Sequence, residues 1–255
     1  MIAVRVMPCL LLKGRGLVKT VKFKDPTYLG DPRNTVKIFN EKEVDELILL
    51  DILATPEKRP PDFGLVEEIV SEAFMPVGYG GGIRSIEHAR RMVSLGVEKI
   101  VISTYAAENP TFVREVSALL GSQSVVVCID VKRTLLGKYE VMVKGGRVRT
   151  KLDPVKFAVQ MAEQGAGEIV INSIDRDGTM QGYDIPLIRQ VTSAVNVPVV
   201  ACGGAGSVDH LREAVREGGA SAVAAGSMFV FQGRHHAVLI NYPPRQQLER
   251  IFLER

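Results

Sequence analysis

The sequence predicts a single (β/α)8 barrel, the TIM-barrel fold, assembled from two similar halves. Eight short apolar runs alternate with eight segments of helical periodicity in a chain of 255 residues, and this alternation is typical of the fold. The halves also share a motif, because Gly81-Gly82 and Gly203-Gly204 each precede a serine and an acidic residue that open a helical segment. A repeat of about half the chain length indicates a duplicated architecture with two equivalent sites.

The apolar runs are near-continuous, as expected for strands that are buried on both faces. These predicted strands are residues 2–12, 46–52, 75–79, 99–103, 124–129, 168–173, 197–201 and 221–225. The predicted helices lie between them, at about 34–43, 65–72, 86–95, 111–120, 155–164, 185–194, 208–217 and 246–253. Helix starts are indicated by Asn109-Pro110, Asp153-Pro154, Ser85 and Ser207, which place a capping side chain or a proline at the first turn.

One irregular stretch follows the fifth predicted strand. Residues 139–143 and 147–149 flank Gly145-Gly146, and two short runs around a glycine pair are typical of a β-hairpin. We therefore expect residues 1–255 to form one barrel domain with a hairpin inserted near 132–151.

The composition, with 46% hydrophobic and 24% charged residues, is ordinary for a globular enzyme. The longest apolar stretch, about 222–231, is shorter than the ~20 residues that a membrane span requires, and the N-terminus lacks a signal-peptide pattern. We therefore expect a cytoplasmic protein with no membrane span. A net charge of +3 is too small to indicate a nucleic-acid partner, although Lys19, Lys22 and Lys24 concentrate positive charge in one segment.

The three cysteines, Cys9, Cys128 and Cys202, lie within or at the end of apolar runs. They lack CxxC spacing and are odd in number, so we expect buried thiols and neither a disulfide nor a cysteine-rich zinc site. We predict no metal and no cofactor.

Glycine-rich turns follow four of the predicted strands, at the end of the barrel where active sites lie. Such turns present free backbone N–H groups beside a helix start, which is a combination that binds phosphate. The candidate phosphate-binding residues are Gly81, Gly82, Ser103 and Thr104 in one half and Gly203, Gly204, Gly226 and Ser227 in the other. The alternative is that glycine only provides tight turns. The symmetry of the two sets favours two phosphate sites.

Carboxylates at the strand ends are the candidate acid–base groups. Asp130 ends an apolar strand, where its pKa is raised if no cation pairs with it, and it could then act as a general acid. The alternative is that Asp130 pairs with Lys132 or Arg133, or caps a turn. Asp177 precedes Gly178 in a segment that is typical of a turn.

Four charged residues of alternating sign lie at the opposite end of the barrel, at or near the beginnings of strands. They are Arg5, Glu46, Lys99 and Glu168. They could form a structural salt-bridge layer or a gate over the barrel axis. Physical reasoning from the sequence does not choose between these two.

Motifs along nearly the whole chain resemble the cyclase subunit of imidazole glycerol phosphate synthase. These motifs are Cys9-Leu10, Gly30-Asp31-Pro32, Asp45-Glu46-Leu47, Leu50-Asp51-Ile52, Gly80-Gly81-Gly82-Ile83, Ala107-Glu108-Asn109-Pro110, Ile129-Asp130, Glu168, Ser173-Ile174-Asp175-Arg176-Asp177-Gly178-Thr179 and Gly203-Gly204-Ala205-Gly206. In that family, a glutaminase subunit docks at the bottom of the barrel. Ammonia passes up the barrel axis to a lyase–cyclase step on a two-phosphate substrate at the top.

The resemblance implies roles for particular residues. It implies that Arg5, Glu46, Lys99 and Glu168 form the ammonia gate. It also implies that Lys19 lies on a mobile loop over the active site and that Asp130 is one of two catalytic carboxylates.

The other catalytic carboxylate of the family belongs where this chain has Leu11. Leucine cannot transfer a proton, so the departure argues against full cyclase activity. It matches a paralogous branch, the glycosyl amidation-associated or acetamidino-modification proteins, which this chain resembles in the strings PCLLL (8–12), GLVKTVKF (16–23), IFNEKEVDE (38–46) and VLINYP (238–243). That branch works with a glutaminase and a separate amidotransferase, which convert an N-acetyl group of a bacterial surface-polysaccharide sugar into an acetamidino group.

The leading functional prediction is a barrel that partners a glutaminase and conducts ammonia for acetamidino modification of a sugar, as in lipopolysaccharide O-antigen synthesis. The resemblance implies a sugar amidotransferase as a further partner, and the glycine turns imply a phosphorylated small-molecule ligand. The first alternative is a true cyclase of histidine biosynthesis, with Asp130 acting alone or with Asp177 in place of the missing carboxylate. The second is a non-catalytic barrel that only activates its glutaminase.

Overall fold

The computed structural model describes residues 4–233 and 235–253, and its centre is a closed barrel of parallel strands. In chain order, the strands are β1 (Arg5–Lys13), β2 (Gly16–Val21), β3 (Lys24–Gly30), β4 (Leu47–Asp51), β5 (Val77–Gly80), β6 (Lys99–Ile102), β7 (Val125–Arg133), β8 (Tyr139–Val143), β9 (Val148–Arg149), β10 (Glu168–Ser173), β11 (Val199–Cys202), β12 (Ala222–Ala225), β13 (Phe231–Gln232) and β14 (Ala237–Val238). The barrel follows the order β1-β4-β5-β6-β7-β10-β11-β12, and β12 pairs with β1 to close it. The predicted (β/α)8 fold is confirmed, although residues 2 and 3 of the first predicted strand lie outside the described residues.

Helices surround the barrel and connect its strands. They are α1 (Pro32–Glu41), α2 (Phe63–Val70), α3 (Ile86–Ser94), α4 (Thr104–Glu108), α5 (Thr111–Leu120), α6 (Pro154–Glu163), α7 (Ile185–Thr192), α8 (Val208–Arg216), α9 (Ser227–Val230) and α10 (Arg245–Leu253). The eight predicted helices occur near their predicted positions. The sequence did not predict α4 and α9, which are too short to show helical periodicity and directly follow β6 and β12. Within the described ranges, no helix is both long and apolar enough to cross a membrane.

Two apolar regions explain why the strands are hydrophobic along their whole length. Side chains that point out of the barrel, such as Tyr79 and Ile100, pack against helix residues such as Phe39 and Phe112. Side chains that point inward form a second, smaller cluster. Its members are Met7, Cys9, Ile48, Val101, Val126, Cys128, Val170, Val200, Cys202, Ala222 and Ala224.

Two antiparallel extensions rise from the C-terminal ends of the barrel strands. The end of β1 pairs with β2, which pairs with β3, and this hairpin crosses the barrel mouth. Its turn contacts the opposite side, where the backbone N–H of Lys22 donates to the carbonyl of Asp177 at 2.8 Å. The end of β7 pairs with β8, which pairs with β9, so residues 131–149 form a three-stranded projection. These extensions narrow the opening above the barrel.

Candidate functional site

A cavity of about 480 Å³ opens at the C-terminal ends of the barrel strands, which is where (β/α)8 barrels place their active sites. Its floor is the inward-facing cluster, with Cys9, Ile48, Val101, Cys128, Val170 and Cys202. Its walls carry the polar groups and the glycine turns, including Leu11, Lys19, Asp51, Gly80, Gly81, Gly82, Ser103, Thr104, Asp130, Lys144, Arg147, Asn172, Asp177 and Gly226. The cavity therefore joins polar walls to an apolar floor.

Asp130 lies at the end of the regular barrel part of β7, on the cavity wall. Burial raises the pKa of its carboxyl to about 7, the hydrogen bond from Asn172 opposes that rise, and the nearby Asp177 carboxylate adds to it. Its Oδ1 accepts from Nδ2 of Asn172 at 2.9 Å. The alternative pairing with Arg133 does not occur, because that guanidinium contacts Tyr139 and Asp184 instead. Near neutral pH, Asp130 can both give and take a proton.

Lys19 and Asp177 form a buried ion pair at the cavity. Nζ of Lys19 lies 2.9 Å from both carboxylate oxygens of Asp177, and the two residues are 5% and 8% exposed. Lys19 belongs to β2, which pairs with both β1 and β3 in the hairpin over the barrel mouth. The mobility that the family resemblance implied for this segment stays a prediction.

Leu11 occupies the wall opposite Asp130. It lies in β1, beside Leu50 of β4, and three strands separate β1 from β7 in either direction around the barrel. The cavity thus has a carboxyl group on one wall and an aliphatic side chain on the facing wall. A proton relay between two carboxylates is therefore excluded at this pair of positions.

The first set of candidate phosphate-binding residues lines the cavity. Gly81, Gly82, Ser103 and Thr104 all reach it. A Cβ at Gly81 would lie 2.5 Å from the carbonyl oxygen of Asp51, and φ is +117°, so backbone packing requires glycine there with or without a phosphate. Thr104 Oγ1 accepts from the backbone N–H of Lys144 at 2.9 Å, which ties the β7–β9 projection to this set.

The second set is arranged differently. Gly226 reaches the cavity, whereas Gly203, Gly204 and Ser227 are not among its lining residues. The aliphatic part of Lys19 lies over Gly226, because a Cβ there would be 2.9 Å from Cε of the lysine. A Cβ at Gly204 would lie 2.2 Å from the carbonyl oxygen of Gly182, so this turn also needs glycine for packing. Ser227 is 4% exposed, and its Oγ has no hydrogen-bond partner among the described residues.

The four charged residues at the bottom of the barrel form a closed ring of ion pairs. Glu46 accepts from Lys99 at 2.8 Å and from Arg5, and Glu168 accepts from Lys99 at 2.9 Å and from Arg5. The carboxylates are buried, at 4% and 5% exposed, while the side chains of Arg5 and Lys99 keep 32% and 18% of their exposure. The ring therefore closes the barrel at its base and shows its cationic members to the outside.

Sequence reasoning missed Asn172, which holds Asp130 from the neighbouring strand. Asn172 and Asp130 are register partners in the pair β10 and β7. A signal for it exists, because Asn172 is a polar residue inside the apolar run 168–173. The pairing of Lys19 with Asp177 was not predictable in the same way, since 158 positions separate the two.

Comparison with known proteins finds relatives along nearly the whole chain. Residues 5–235 match the family described as "Histidine biosynthesis protein". A protein of Pseudomonas aeruginosa strain PAO1, named "Putative imidazole glycerol phosphate synthase subunit hisF2", is 51% identical over 249 residues, which cover 98% of this chain and 99% of that protein. A protein of Leptospira interrogans, named "Putative imidazole glycerol phosphate synthase subunit HisF", is 48% identical over 253 residues, which cover 99% of this chain and all of that protein.

A third relative, a hisF3 protein from Vibrio vulnificus strain YJ016, is 48% identical over 244 residues, 95% of this chain and 94% of its own. The fold and the cavity define this chain as a (β/α)8 barrel with a candidate site at the C-terminal ends of its strands. The chain belongs to the histidine biosynthesis protein family and, within it, to the HisF family of imidazole glycerol phosphate synthase subunits.

Proposed function

We propose that this chain receives ammonia from a glutaminase subunit at its base and conducts it through the barrel for acetamidino modification of an N-acetyl sugar in bacterial surface-polysaccharide synthesis. One observation carries the proposal. A closed ring of ion pairs lies below an apolar barrel interior, and the cavity above has Leu11 where a cyclase would need a second carboxylate.

The ring at the base supports a gate. Removing two carboxylates from water costs several kcal/mol each, and apolar residues of similar volume would often be at least as stable. A layer used only for packing has no need of these charges. Arg5 and Lys99 remain partly exposed at the base, so a docked glutaminase can contact them and open the path.

The barrel interior supports passage of neutral ammonia. Between the ring and the cavity, the inward-facing side chains are apolar or thiols. Burial raises the pKa of the Cys128 thiol, and a hydrogen bond with Cys9 together with burial raises that of Cys202, so these thiols stay neutral. An uncharged lining favours NH₃ over NH₄⁺, because a charge without a partner is costly in such surroundings.

The cavity supports a role other than cyclisation. General acid–base catalysis by a positioned group contributes roughly 10²–10⁴-fold, and Leu11 removes one such group. Asp130, with a pKa of about 7, remains as an acid–base group that can exchange a proton with a bound ligand. A phosphorylated ligand fits the polar wall of Gly81, Gly82, Ser103 and Thr104, and Lys19 and Asp177 would position it. The resemblance to the acetamidino-modification branch suggests a sugar amidotransferase as the protein that uses the ammonia.

Two other functions have observations in their favour. The raised pKa of Asp130 favours a cyclase of histidine biosynthesis, with Asp177 in place of the missing carboxylate. The position of Gly82 and Thr104 on the cavity wall, where a phosphate could bind, favours the same function. The side chain of Lys19 lies over Gly226, where a second phosphate would bind. This favours a barrel that binds no two-phosphate substrate and only activates its glutaminase.

The test uses the purified chain and the glutaminase encoded beside it, with glutamate release and nitrogen transfer measured together. The barrel should bind the glutaminase and raise its hydrolysis of glutamine. Lys99→Ala should alter ammonia transfer while the barrel stays folded, and Asp130→Ala should leave glutaminase binding unchanged. Lys156→Ala, on the exposed face of α6, is the matched control and should change nothing. If the two proteins do not associate, or hydrolysis ignores the barrel, the ammonia-channel function fails for this chain.

A further inference from the structure

We propose that the projection β7–β8–β9 is the docking surface for the protein that takes up the ammonia, and that this partner has an acidic rim and an apolar recess for Leu135 and Leu136. The inference rests on the proposed function. It adds to it the place where the acceptor binds.

The tip of the projection exposes two adjacent leucines. Leu135 is 107% exposed and Leu136 is 86% exposed. The turn that carries them is well defined, because the N–H of Thr134 donates to the carbonyl of Lys138 at 2.7 Å and its hydroxyl accepts from the N–H of Lys138 at 3.1 Å. Burying such side chains against a partner is favourable. A hydrogen-bonded turn that holds two of them in water is suited to a partner that covers them.

The projection and the residues that directly follow it are strongly basic, with seven of the 32 lysines and arginines of the chain. Residues 131–152 contain Lys132, Arg133, Lys138, Lys144, Arg147, Arg149 and Lys151 against one acidic residue, Glu140. Glu140 is itself bound to Arg149. The excess of six positive charges in this segment is larger than the net +3 of the whole chain, so the remainder is net acidic. A partner with an acidic rim would be steered to this place and oriented there.

The surface is continuous with the cavity. Lys144, Gly145 and Arg147 line the mouth, and Lys144 also forms an ion pair with Glu108 at 3.1 Å. A protein seated on the leucine tip and the basic strands would therefore extend over the opening.

The chemistry of ammonia favours a protein at this position over a lipid surface. Because Leu11 stands at the position where a cyclase needs its second carboxylate, the proposed function has ammonia leave through the mouth. Ammonia that enters neutral water is protonated and no longer acts as a nucleophile, so transfer requires a covered path between two protein sites. A bilayer held by the same leucines and cations would cover the mouth without offering an acceptor.

The experiment combines this chain, its glutaminase and the candidate sugar amidotransferase encoded nearby, with glutamine labelled with ¹⁵N in its amide. Calorimetry measures the affinity of the amidotransferase for the barrel, and mass spectrometry measures ¹⁵N in the sugar. The double variant Leu135→Ser/Leu136→Ser should weaken binding at least tenfold, about 1.4 kcal/mol. It should lower the ratio of ¹⁵N product to glutamate while its stimulation of the glutaminase and its thermal midpoint stay as in wild type. Added ammonium chloride should restore product formation.

Two further variants separate the parts of the surface. Lys132→Glu/Lys138→Glu should slow association and reduce its dependence on salt. Phe74→Ser is the matched control, since Phe74 is 89% exposed but precedes β5 at the opposite end of the barrel, and it should leave amidotransferase binding unchanged.

Several outcomes overturn the inference. One is unchanged affinity and unchanged ¹⁵N coupling in the leucine variant, and another is an amidotransferase that does not bind the wild-type complex. A third is leucine-dependent binding to phosphatidylethanolamine and phosphatidylglycerol vesicles without any effect on the amidotransferase. If wild type binds the amidotransferase through the leucines but no labelled sugar forms, the proposed function fails while the docking surface stands.

Discussion

The two halves of the barrel carry the same turn and the same helix start, yet they differ at the cavity. Ser85 begins α3 and its Oγ accepts from the N–H of His88 at 3.2 Å, and Ser207 begins α8 and accepts from His210 at 3.3 Å. Nδ1 of each histidine in turn accepts from the backbone N–H of the residue before the serine, which is Arg84 in one half and Gly206 in the other. The duplicated sequence motif is thus a duplicated set of hydrogen bonds.

The difference lies in the side chains and in what covers the turns. One half has Leu11 on the cavity wall, and its glycine turn at Gly81-Gly82 lines the cavity. The other half has Asp130 on the wall, and its Gly226 lies under the side chain of Lys19. The backbone scaffold therefore tolerates divergence of the chemistry, because the caps and tight turns hold the strand ends in place in both halves. Substitutions that make the two halves more alike or less alike test whether the chemistry can change while the scaffold stays the same.

The largest effect is expected from Leu11→Asp, which gives the first half the carboxylate of the second. We expect wild type, with ammonia and the histidine-pathway substrate, to turn over at background. The variant should be at least about 100-fold faster, since a positioned acid–base group contributes about 10²–10⁴-fold. Steady-state turnover measures it. Leu11→Asn is the control of similar shape that cannot transfer a proton, and it should stay at background. Wild-type turnover equal to that of a genuine cyclase would contradict the divergence of the two halves.

A smaller effect is expected from Asp130→Asn, which removes the acid of the second half. The folded-state pKa of Asp130, about 7, lies above its usual 3.8, so the stability linked to its proton is present in acid and is lost as pH rises through 7. From pH 5 to pH 8, wild type should lose about 2–3 kcal/mol of unfolding free energy that the variant keeps. Urea unfolding at both pH values measures the difference.

The control for that comparison is Glu115→Gln, an exposed residue on α5, which should change stability by less than about 0.5 kcal/mol at either pH. A wild-type protein and an Asp130→Asn variant with parallel pH profiles would show that the carboxyl is not held protonated by its surroundings.

The smallest effect is expected from the caps, where the halves agree. Ser85→Ala and Ser207→Ala should each lower the free energy of unfolding by about 1 kcal/mol, because each leaves a first-turn N–H without its partner. The two losses should be equal within about 0.5 kcal/mol. Ser221→Ala, at an exposed position before β12, is the control. A loss at only one of the caps would mean that the halves differ in their scaffold as well as in their chemistry.

Periodicity was sufficient to predict the barrel because each of its strands and long helices buries a continuous or periodic apolar set. It failed for β2, whose buried residues include Lys19 and Thr20 and so do not form an apolar run, and for β3. β3 is mostly exposed and contains Pro26, so nothing in its pattern is typical of a strand.

Residues of the candidate site could likewise be predicted only where they begin or end an apolar strand. Asp130 stood out because it ends an apolar run, and the ring at the base stood out because its residues begin strands. The position of the Lys19 side chain over Gly226 could not be predicted, because it depends on where the β2–β3 hairpin folds back and on the pairing of Lys19 with Asp177. The functional roles of these residues stay predictions.

The hydrogen bond from the Lys144 backbone to Thr104 has a consequence for thermodynamic linkage. It joins the basic projection to the rim where a phosphorylated ligand would bind. If occupancy of the rim raises the affinity of the projection for its partner, the partner must raise the affinity of the rim by the same factor. The barrel would then hold its ligand most tightly when the acceptor of ammonia is already in place.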